Sequence, residues 1–144
     1  MVTIIDGTNL ILGRLAANVA KRALQGEEII IVNCDKVIIS GRKESVLKKF
    51  KQREARTQPF KGPFAKRMPD RIVKFAIRGM LPHEKWSEES RGRKAFSKIK
   101  CFIDVPDEYK NQKFETIPEI SLNKLKTPYF TYVGEISKLL RQNG

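Results

Sequence analysis

The sequence predicts an α/β fold that carries a basic insertion. Three features favour this class: a strand–helix–strand pattern at the start, an apolar strand after a long basic segment, and an amphipathic helix near the end. The chain has 144 residues, of which 40% are hydrophobic. A chain of this length can bury a sizeable core, so we expect residues 1–144 to form a single domain.

The first predicted elements form a βαβ unit. Val2–Asp6 is typical of a short buried strand, and residues 28–33 of a second one. Helical spacing runs through the apolar residues between them: Leu12, Leu15, Ala16, Val19, Ala20, Ala23 and Leu24. Thr8 or Asn9 is a candidate N-cap, and Gly26 a stop signal. The crossover predicts that the two strands are parallel.

Two shorter elements follow. Residues 37–40 are typical of a strand, but about three residues separate them from the preceding strand, too few for a parallel crossover. Residues 37–40 are therefore either a bent continuation of the preceding strand or its hairpin partner, and the sequence does not distinguish the two. Residues 44–54 predict a helix with Val46, Leu47 and Phe50 on one side.

The last convincing strand is predicted over residues 100–105, where Pro106 ends it. Residues 107–128 are polar and interrupted by proline. A terminal helix is predicted over residues 132–140, with Thr131 as a possible cap. Its inward-facing residues are expected to be Val133, Ile136, Leu139 and Leu140.

Several protein classes are excluded by pattern. No apolar run approaches the roughly 20 residues of a membrane span, and the first residues do not resemble a secretory signal. Cys34 and Cys101 lie in or beside strand-like segments and form no CxxC, so we expect buried, reduced thiols in a cytoplasmic protein. With His83 as the single histidine, no zinc-ligand spacing is present.

The positive charge is concentrated in the middle of the chain. Residues 42–100, called the basic segment below, hold 19 Lys and Arg against 6 Asp and Glu, and this excess of 13 equals the net charge of the whole protein. Both flanking regions are balanced. Because such one-sided charge repels itself, a polyanionic partner explains it better than a solubility patch. Cations interleaved with Pro, Gly and aromatic residues favour nucleic acid over a membrane surface.

Residues 55–69, ARTQPFKGPFAKRMP, predict a semi-rigid basic loop, since proline restricts the backbone. Phe60 and Phe64 are candidates for base stacking, although packing on the core is the commoner role of a loop aromatic. Trp86 is expected to have a packing role.

A helix capped by Asp70 is predicted to run through Arg78. Its core-seeking side would carry Ile72, Val73, Ala76, Ile77 and Met80. If the helical register extends back to Arg67, a cationic ridge forms on the opposite side from Arg67, Arg71, Lys74 and Arg78. Guanidinium groups in such a ridge match the geometry of phosphate oxygens. A second cationic group follows at Arg91, Arg93, Lys94 and Lys98.

The sharpest motif is RGMLPH at residues 78–83, preceded by PDRI at residues 69–72. Further motifs are IDG at 5–7, LGRLA at 12–16, IVNCDK at 31–36, Gly41 and Leu139. In this order they resemble the universal ribosomal protein L13 family of the large subunit, over most of residues 3–106. The version is similar to the archaeal or eukaryotic one, because IDVPD at residues 103–107 replaces the bacterial ending rich in Gly, Pro and His.

The resemblance implies a three-layer α/β/α fold around a four-stranded, mainly parallel sheet, with residues 107–144 as a C-terminal extension and helix. It also implies a cytoplasmic, ribosomal location and a structural role in the large subunit and its assembly. The expected partners are large-subunit ribosomal RNA and neighbouring large-subunit proteins. No catalysis, cofactor, metal, membrane or small-molecule substrate is implied.

The basic segment supplies the predicted RNA-binding residues. They are Arg42, Lys48, Lys49, Lys51, Arg53, Arg56, Lys61, Lys66, Arg67, Arg71, Lys74, Arg78, His83, Lys85, Arg91, Arg93 and Lys94.

Two enzymatic alternatives are weaker. Glycines at the first βα turn suggest nucleotide binding, but their spacing fits neither a P-loop nor G-x-G-x-x-G. His83 beside Glu84 suggests acid–base cleavage of RNA, yet no paired carboxylates or metal-ligand cluster accompany it.

Overall fold

A parallel sheet lies at the centre of the computed structural model, which describes residues 2–56, 60, 66–82 and 89–142. In chain order the elements are β1 (Val2–Asp6), α1 (Leu12–Leu24), β2 (Glu28–Val32), β3 (Ile38–Ser40), α2 (Lys43–Ala55), α3 (Pro69–Gly79), α4 (Arg91–Ser97), β4 (Ile99–Cys101), β5 (Phe130–Tyr132) and α5 (Val133–Gln142). The prediction of a mixed α/β fold is therefore confirmed, and so is the opening βαβ unit.

The sheet has the order β1-β2-β4, and both pairings are parallel. In β1 and β2, Ile4 lies opposite Ile30 and Ile5 opposite Ile31. β4 is shorter than the predicted strand over residues 100–105, because regular pairing with β2 covers only Ile99–Cys101. One further hydrogen bond, from Phe102 N to Ile31 O at 2.8 Å, follows before the chain bends away.

Alternation along the strands divides the core between two faces. Ile5, Ile29 and Ile31 pack with buried residues of α1, α3 and α4, whereas Ile4 and Ile30 point to the other face. Within the described residues, that second face is covered by Phe102, Val105, Tyr109 and Phe114 from an irregular segment. The expected three layers are thus replaced by helices on one face and irregular chain on the other.

The expected fourth strand of the sheet is also replaced by irregular chain. Glu115 meets the outer edge of β1, where Asp6 N donates to Glu115 O at 3.0 Å and Glu115 N donates to Ile4 O at 2.8 Å. Arg22 of α1 fixes the same residue through an ion pair of 3.1 Å. This bridge pairs one residue with the edge of β1, and the sheet formed by the described residues has three strands where four were expected.

β3 is neither a bent continuation of β2 nor its hairpin partner. Asn33 adopts a left-handed conformation with φ of +56°, and the chain then makes a 3-10 turn over Cys34–Lys36. After this turn, β3 pairs antiparallel with β5 in a separate two-stranded sheet. Its partner lies some ninety residues later, and no local pattern around residues 37–40 indicates such a distant pairing.

α1 begins differently from the prediction. Its N-cap position is held by the apolar Ile11, not by Thr8 or Asn9. The Thr8 hydroxyl instead donates to the Asp6 carboxylate at 2.7 Å, and Asn9 Oδ1 accepts from the Tyr132 hydroxyl at 3.0 Å. The predicted stop is correct, since Gly26 follows the helix with φ of +101°.

α2 and α5 pack against each other. Val46 of α2 is buried with Ile136 and Leu140 of α5, and Leu47 and Phe50 pack against them as predicted. The inward face of α5 differs in detail, because Ser137 is fully buried and Leu139 only half-buried. Thr131 does not cap α5; it belongs to β5, and its buried hydroxyl finds no hydrogen-bond partner among the described residues.

α3 departs from prediction at both ends. Met68 holds the N-cap position and Pro69 the first turn, so Asp70 lies inside the first turn and does not cap the helix. Its negative charge there still interacts favourably with the positive end of the helix dipole. Ile72, Val73 and Ile77 are buried as predicted, but Met80, placed on the core side by helical spacing, is 46% exposed.

Candidate RNA interface

Most of the described cations of the basic segment lie on α2, α3, α4 and β4. α2 presents Lys48, Lys49, Lys51 and Arg53 on its exposed side, and Arg56 is exposed just after its last turn. This helix carries its apolar residues on the side that packs against α5, so its remaining surface is free to be strongly basic. Arg42, immediately before α2, lies with its guanidinium 4.9 Å from the centre of the Tyr129 ring.

The predicted ridge of four cations does not include Arg67. α3 begins at Pro69, so the helical register does not reach back to this residue. The Arg67 guanidinium forms an ion pair with the Glu54 carboxylate of α2, and the Arg67 carbonyl accepts a hydrogen bond from the Ser137 hydroxyl. Arg67 therefore connects α2, α3 and α5.

The other ridge members stay on α3. Arg71 is exposed, while Lys74 and Arg78 are half-buried. The Lys74 ammonium lies 4.8 Å from the centre of the Phe96 ring of α4, a cation–π distance. This contact holds Lys74 on the side of α3 that faces α4 and β4.

A small cleft forms where α3 passes β4, and we call it the α3–β4 cleft. It has a volume of about 470 Å³ and is lined by Asp70, Arg71, Lys74, Lys100, Cys101 and Phe102. Among these described residues, Arg71, Lys74 and Lys100 bring three positive charges to the cleft against the carboxylate of Asp70. Such a set attracts phosphate, because each oxygen can accept from a separate ammonium or guanidinium donor.

α4 carries the second cationic group and was not predicted as a helix. The Ser90 hydroxyl caps it by accepting from Arg93 N at 3.4 Å, and Gly92 and Ala95 form its buried side. Arg91, Arg93 and Lys94 are exposed, as expected for phosphate-binding side chains. Lys98 is exposed directly after the helix.

Three predicted RNA-binding residues, Lys61, His83 and Lys85, lie outside the described residues. Phe64 and Trp86 lie outside them as well. Lys66 is described and exposed. Phe60 is 95% exposed, so it does not pack on the core and its ring is accessible for stacking.

The sequence interpretation missed Lys100 and Phe75. Lys100 alternates outward between the inward-facing Ile99 and Cys101, so period-two spacing in β4 carried the signal. Phe75 is 45% exposed on α3 although most aromatic residues of this size are largely buried. Helical spacing carried the signal, because at 100° per residue Phe75 lies off the side of α3 that buries Ile72, Val73 and Ile77.

The described part of the chain contains clustered cations but no candidate metal site. No group of three or more His, Cys, Asp or Glu side chains in it could hold a metal ion. No helix within the described ranges is long and apolar enough to cross a membrane. What the described cations can do chemically is bind phosphate oxygens at several separate points.

Comparison with known proteins gives one consistent family. The ribosomal protein L13 family profile matches residues 1–108. Large ribosomal subunit protein uL13 of Archaeoglobus fulgidus is 41% identical over 99% of this chain and 89% of its own length. The uL13 protein of Methanosarcina barkeri is 41% identical over 95% of this chain and 96% of its own length, and that of Picrophilus torridus 42% identical over 94% of each.

These matches confirm the resemblance found in the motifs, including its archaeal character. The family profile ends close to residue 107, where the C-terminal extension was predicted to begin. The archaeal relatives align over nearly the whole chain, 99% and 95% of it. The chain belongs to the ribosomal protein L13 family.

Proposed function

We propose that this protein is a structural constituent of the large ribosomal subunit. In this proposal it binds large-subunit ribosomal RNA through its basic segment, supports subunit assembly in the cytoplasm and performs no catalytic step. Family membership supports the ribosomal role, because the archaeal relatives are named as large-subunit proteins. The observation that carries the RNA contact is the convergence of Arg71, Lys74 and Lys100 at the α3–β4 cleft.

Phosphate contacts of this kind set affinity and orientation but carry little base information. The charged helices are held in place by packing: α3 buries Ile72, Val73 and Ile77, and α4 buries Ala95. Their cationic sides are therefore positioned before RNA arrives. Preorganised cations lose less side-chain entropy on binding, so they suit recognition of folded RNA by its shape.

Neighbouring large-subunit proteins are proposed to contact the charge-balanced parts of the chain. Residues 101–144 hold six cations and six carboxylates, so they lack the charge excess that RNA contact favours. We further propose that residues 1–144 behave as one domain. The larger core cluster supports this, since it includes residues from Ile5 of β1 to Val133 of α5. A single cooperative unfolding transition is the expected observation.

The test is the affinity for large-subunit ribosomal RNA as a function of salt, with tRNA as competitor. A triple variant, Arg71→Ala, Lys74→Ala and Lys100→Ala, should bind more weakly. The slope of log affinity against log salt should fall by roughly 0.7–0.9 for each phosphate that the variant no longer neutralises. The matched control replaces three exposed lysines of the balanced region: Lys113→Ala, Lys126→Ala and Lys138→Ala.

Both triple variants remove three positive charges, so a general electrostatic effect would weaken them equally. Loss of affinity confined to the first variant supports the proposed interface. Equal loss in both contradicts the α3–β4 cleft as a specific contact. A wild-type protein without preference for ribosomal RNA over tRNA contradicts the ribosomal RNA-binding role itself.

A further inference from the structure

A second, larger cavity lies between α2 and α3, and we call it the α2–α3 groove. It has a volume of about 800 Å³, within the roughly 300–1,000 Å³ range of ligand-binding pockets. Its apolar lining includes Leu12, Ile39, Val46, Phe50, Ile72 and Leu140. These residues come from α1, β3, α2, α3 and α5, so the floor of the groove is part of the folded core and not a mobile surface loop.

Two large apolar side chains, one on α3 and one directly after it, line the groove and remain open to solvent. Phe75 is 45% exposed and Met80 is 46% exposed, although both lie close to a well-packed core. Ala76 and Gly79 lie between them in sequence and also line the groove. A Cβ atom added at Gly79 would meet nothing within 4 Å, which indicates open space on this side of α3. Exposed apolar surface of this kind marks an interaction site.

The rim of the groove is strongly basic. Lys49, Arg53, Arg56, Lys66 and Arg67 line it, and Glu54 is the one carboxylate among its described lining residues. Glu54 forms an ion pair with Arg67, so the described lining carries five cations against one carboxylate. The Arg53 guanidinium lies 5.4 Å from the centre of the Phe50 ring. An apolar floor is thus surrounded by charges that attract an anion.

This combination matches the two parts of a single-stranded nucleotide. A base presents an apolar, aromatic surface, and the phosphates on either side of it carry the negative charge. A duplex cannot use the floor, because its bases are stacked and paired inside the helix. An apolar peptide would use the floor but bring no negative charge to the basic rim, so charge complementarity favours RNA over a peptide.

We propose that the α2–α3 groove receives an unstacked base of ribosomal RNA, which stacks on Phe75 while its flanking phosphates bind the rim cations. The proposal rests on the ribosomal RNA-binding function and adds a site at which single-stranded RNA is distinguished from duplex. Met80 and Ile72 supply the apolar surroundings of the base. Lys49, Arg53 and Arg56 hold the phosphates.

The first test compares Phe75→Leu with Phe75→Tyr in binding to large-subunit ribosomal RNA across a range of salt concentrations. Leu keeps an apolar side chain but removes the aromatic plane, so affinity should fall by about 5- to 100-fold, the worth of one stacked base. The salt slope should stay unchanged, because every cation that binds phosphate is retained. Phe75→Tyr keeps the plane and should bind like wild type.

Val2→Ala is the control for loss of exposed apolar surface, since Val2 is 50% exposed and does not line the groove. It should bind RNA like wild type. Equal affinity of Phe75→Leu and wild type overturns the groove proposal while leaving the ribosomal RNA-binding function intact. A loss in Phe75→Leu that Phe75→Tyr does not restore also overturns stacking at this position.

The second test locates the base directly. Large-subunit ribosomal RNA containing 4-thiouridine is bound to the full-length protein, irradiated and mapped by mass spectrometry. Cross-links to the peptide spanning residues 69–80 support the proposal, and Phe75→Leu should reduce them. Cross-links confined to other parts of the basic segment overturn it. In assembled subunits, cross-linking of this peptide to a neighbouring protein in place of RNA would identify a peptide as the occupant and would also overturn it.

Discussion

The Ser137 hydroxyl donates a hydrogen bond of 2.5 Å to the backbone carbonyl of Arg67. Ser137 is fully buried in α5, and Arg67 lies two residues before α3 begins. The Arg67 side chain meanwhile pairs with Glu54 near the end of α2. The C-terminal helix α5 therefore holds the backbone that leads into α3, and it does so through one buried hydroxyl.

Ser137→Ala is expected to lower the free energy of unfolding by about 1–3 kcal/mol. The substitution leaves the Arg67 carbonyl without its donor, and a buried polar group that loses its partner costs about this much. Urea unfolding at neutral pH measures the change. The control is Ser121→Ala, whose hydroxyl bonds the Pro118 carbonyl at 2.9 Å in an exposed setting, where water replaces the missing donor.

A loss of stability in Ser121→Ala as large as that in Ser137→Ala would contradict the assigned role of burial. Ser137→Ala should also reduce affinity for ribosomal RNA less than removal of the Arg71 side chain does. The reason is that Ser137 positions the backbone before α3 but makes no contact through its own side chain at the α3–β4 cleft.

The sequence correctly predicted the helices and strands that depend on the spacing of nearby apolar residues. The apolar spacing of α1, with Leu15, Ala16 and Val19 on one side, predicted both the helix and its buried face. The βαβ unit and its parallel pairing followed from the same spacing. Helix ends were less predictable, because Ile11 and Met68 occupy N-cap positions where a polar side chain was expected.

Pairing between distant parts of the chain could not be predicted. β3 is only three residues long, and its partner β5 follows the irregular polar segment. Glu115 bridges the edge of β1 with backbone groups alone, which leave no side-chain pattern in the sequence. The number of strands and the cover on the second face of the sheet both depend on these non-local contacts.

In the candidate site too, features set by local spacing were predictable and features set by contacts between distant residues were not. Cations of α2, a predicted helix, and of α4, which was not predicted, are exposed, whereas the Arg67 side chain pairs with Glu54 of α2. The α2–α3 groove depends on the separation of two helices, so neither helix indicates it alone.

The Asp6 carboxylate should make stability depend on pH in the acid range. Burial disfavours its charged form, but hydrogen bonds from Thr8 and from the Asn33 amide outweigh this, so its pKa lies below the ordinary value of 3.8. The Thr8 amide donates at 3.0 Å, the Thr8 hydroxyl at 2.7 Å and Asn33 Nδ2 at 3.0 Å. The charge of Lys36 lowers the pKa further.

Because the folded-state pKa lies below the unfolded one, this contribution is present above pH 3.8 and is lost as the pH falls through the folded-state value. Asp6→Asn should therefore be less stable than wild type at neutral pH by about 1.5 kcal/mol, the low end for hydrogen bonds to a charged group. The difference should shrink below about pH 4. Thermal unfolding from pH 7 to pH 3 measures it, with the exposed Asp104→Asn as control. A stability difference between wild type and Asp6→Asn that grows as the pH falls would contradict a lowered pKa of Asp6.

The Cys34 thiol should react slowly with alkylating reagents in the folded protein. Cys34 is buried and Cys101 half-buried, and both are free thiols. Contact with the Cys101 thiol and burial together raise the pKa of Cys34 well above its ordinary value. Since the thiolate is the reactive form, each unit of increase lowers its population about tenfold at a fixed pH.

Labelling with iodoacetamide at pH 8, followed by mass spectrometry, should modify Cys34 at least about tenfold more slowly in the native protein than in urea. A Cys101→Ser variant separates the two causes, because burial alone should still keep Cys34 slow when the neighbouring thiol is gone. Fast native labelling of Cys34 in both proteins would mean that this part of the core opens to solvent, in conflict with its packing between the sheet and α3.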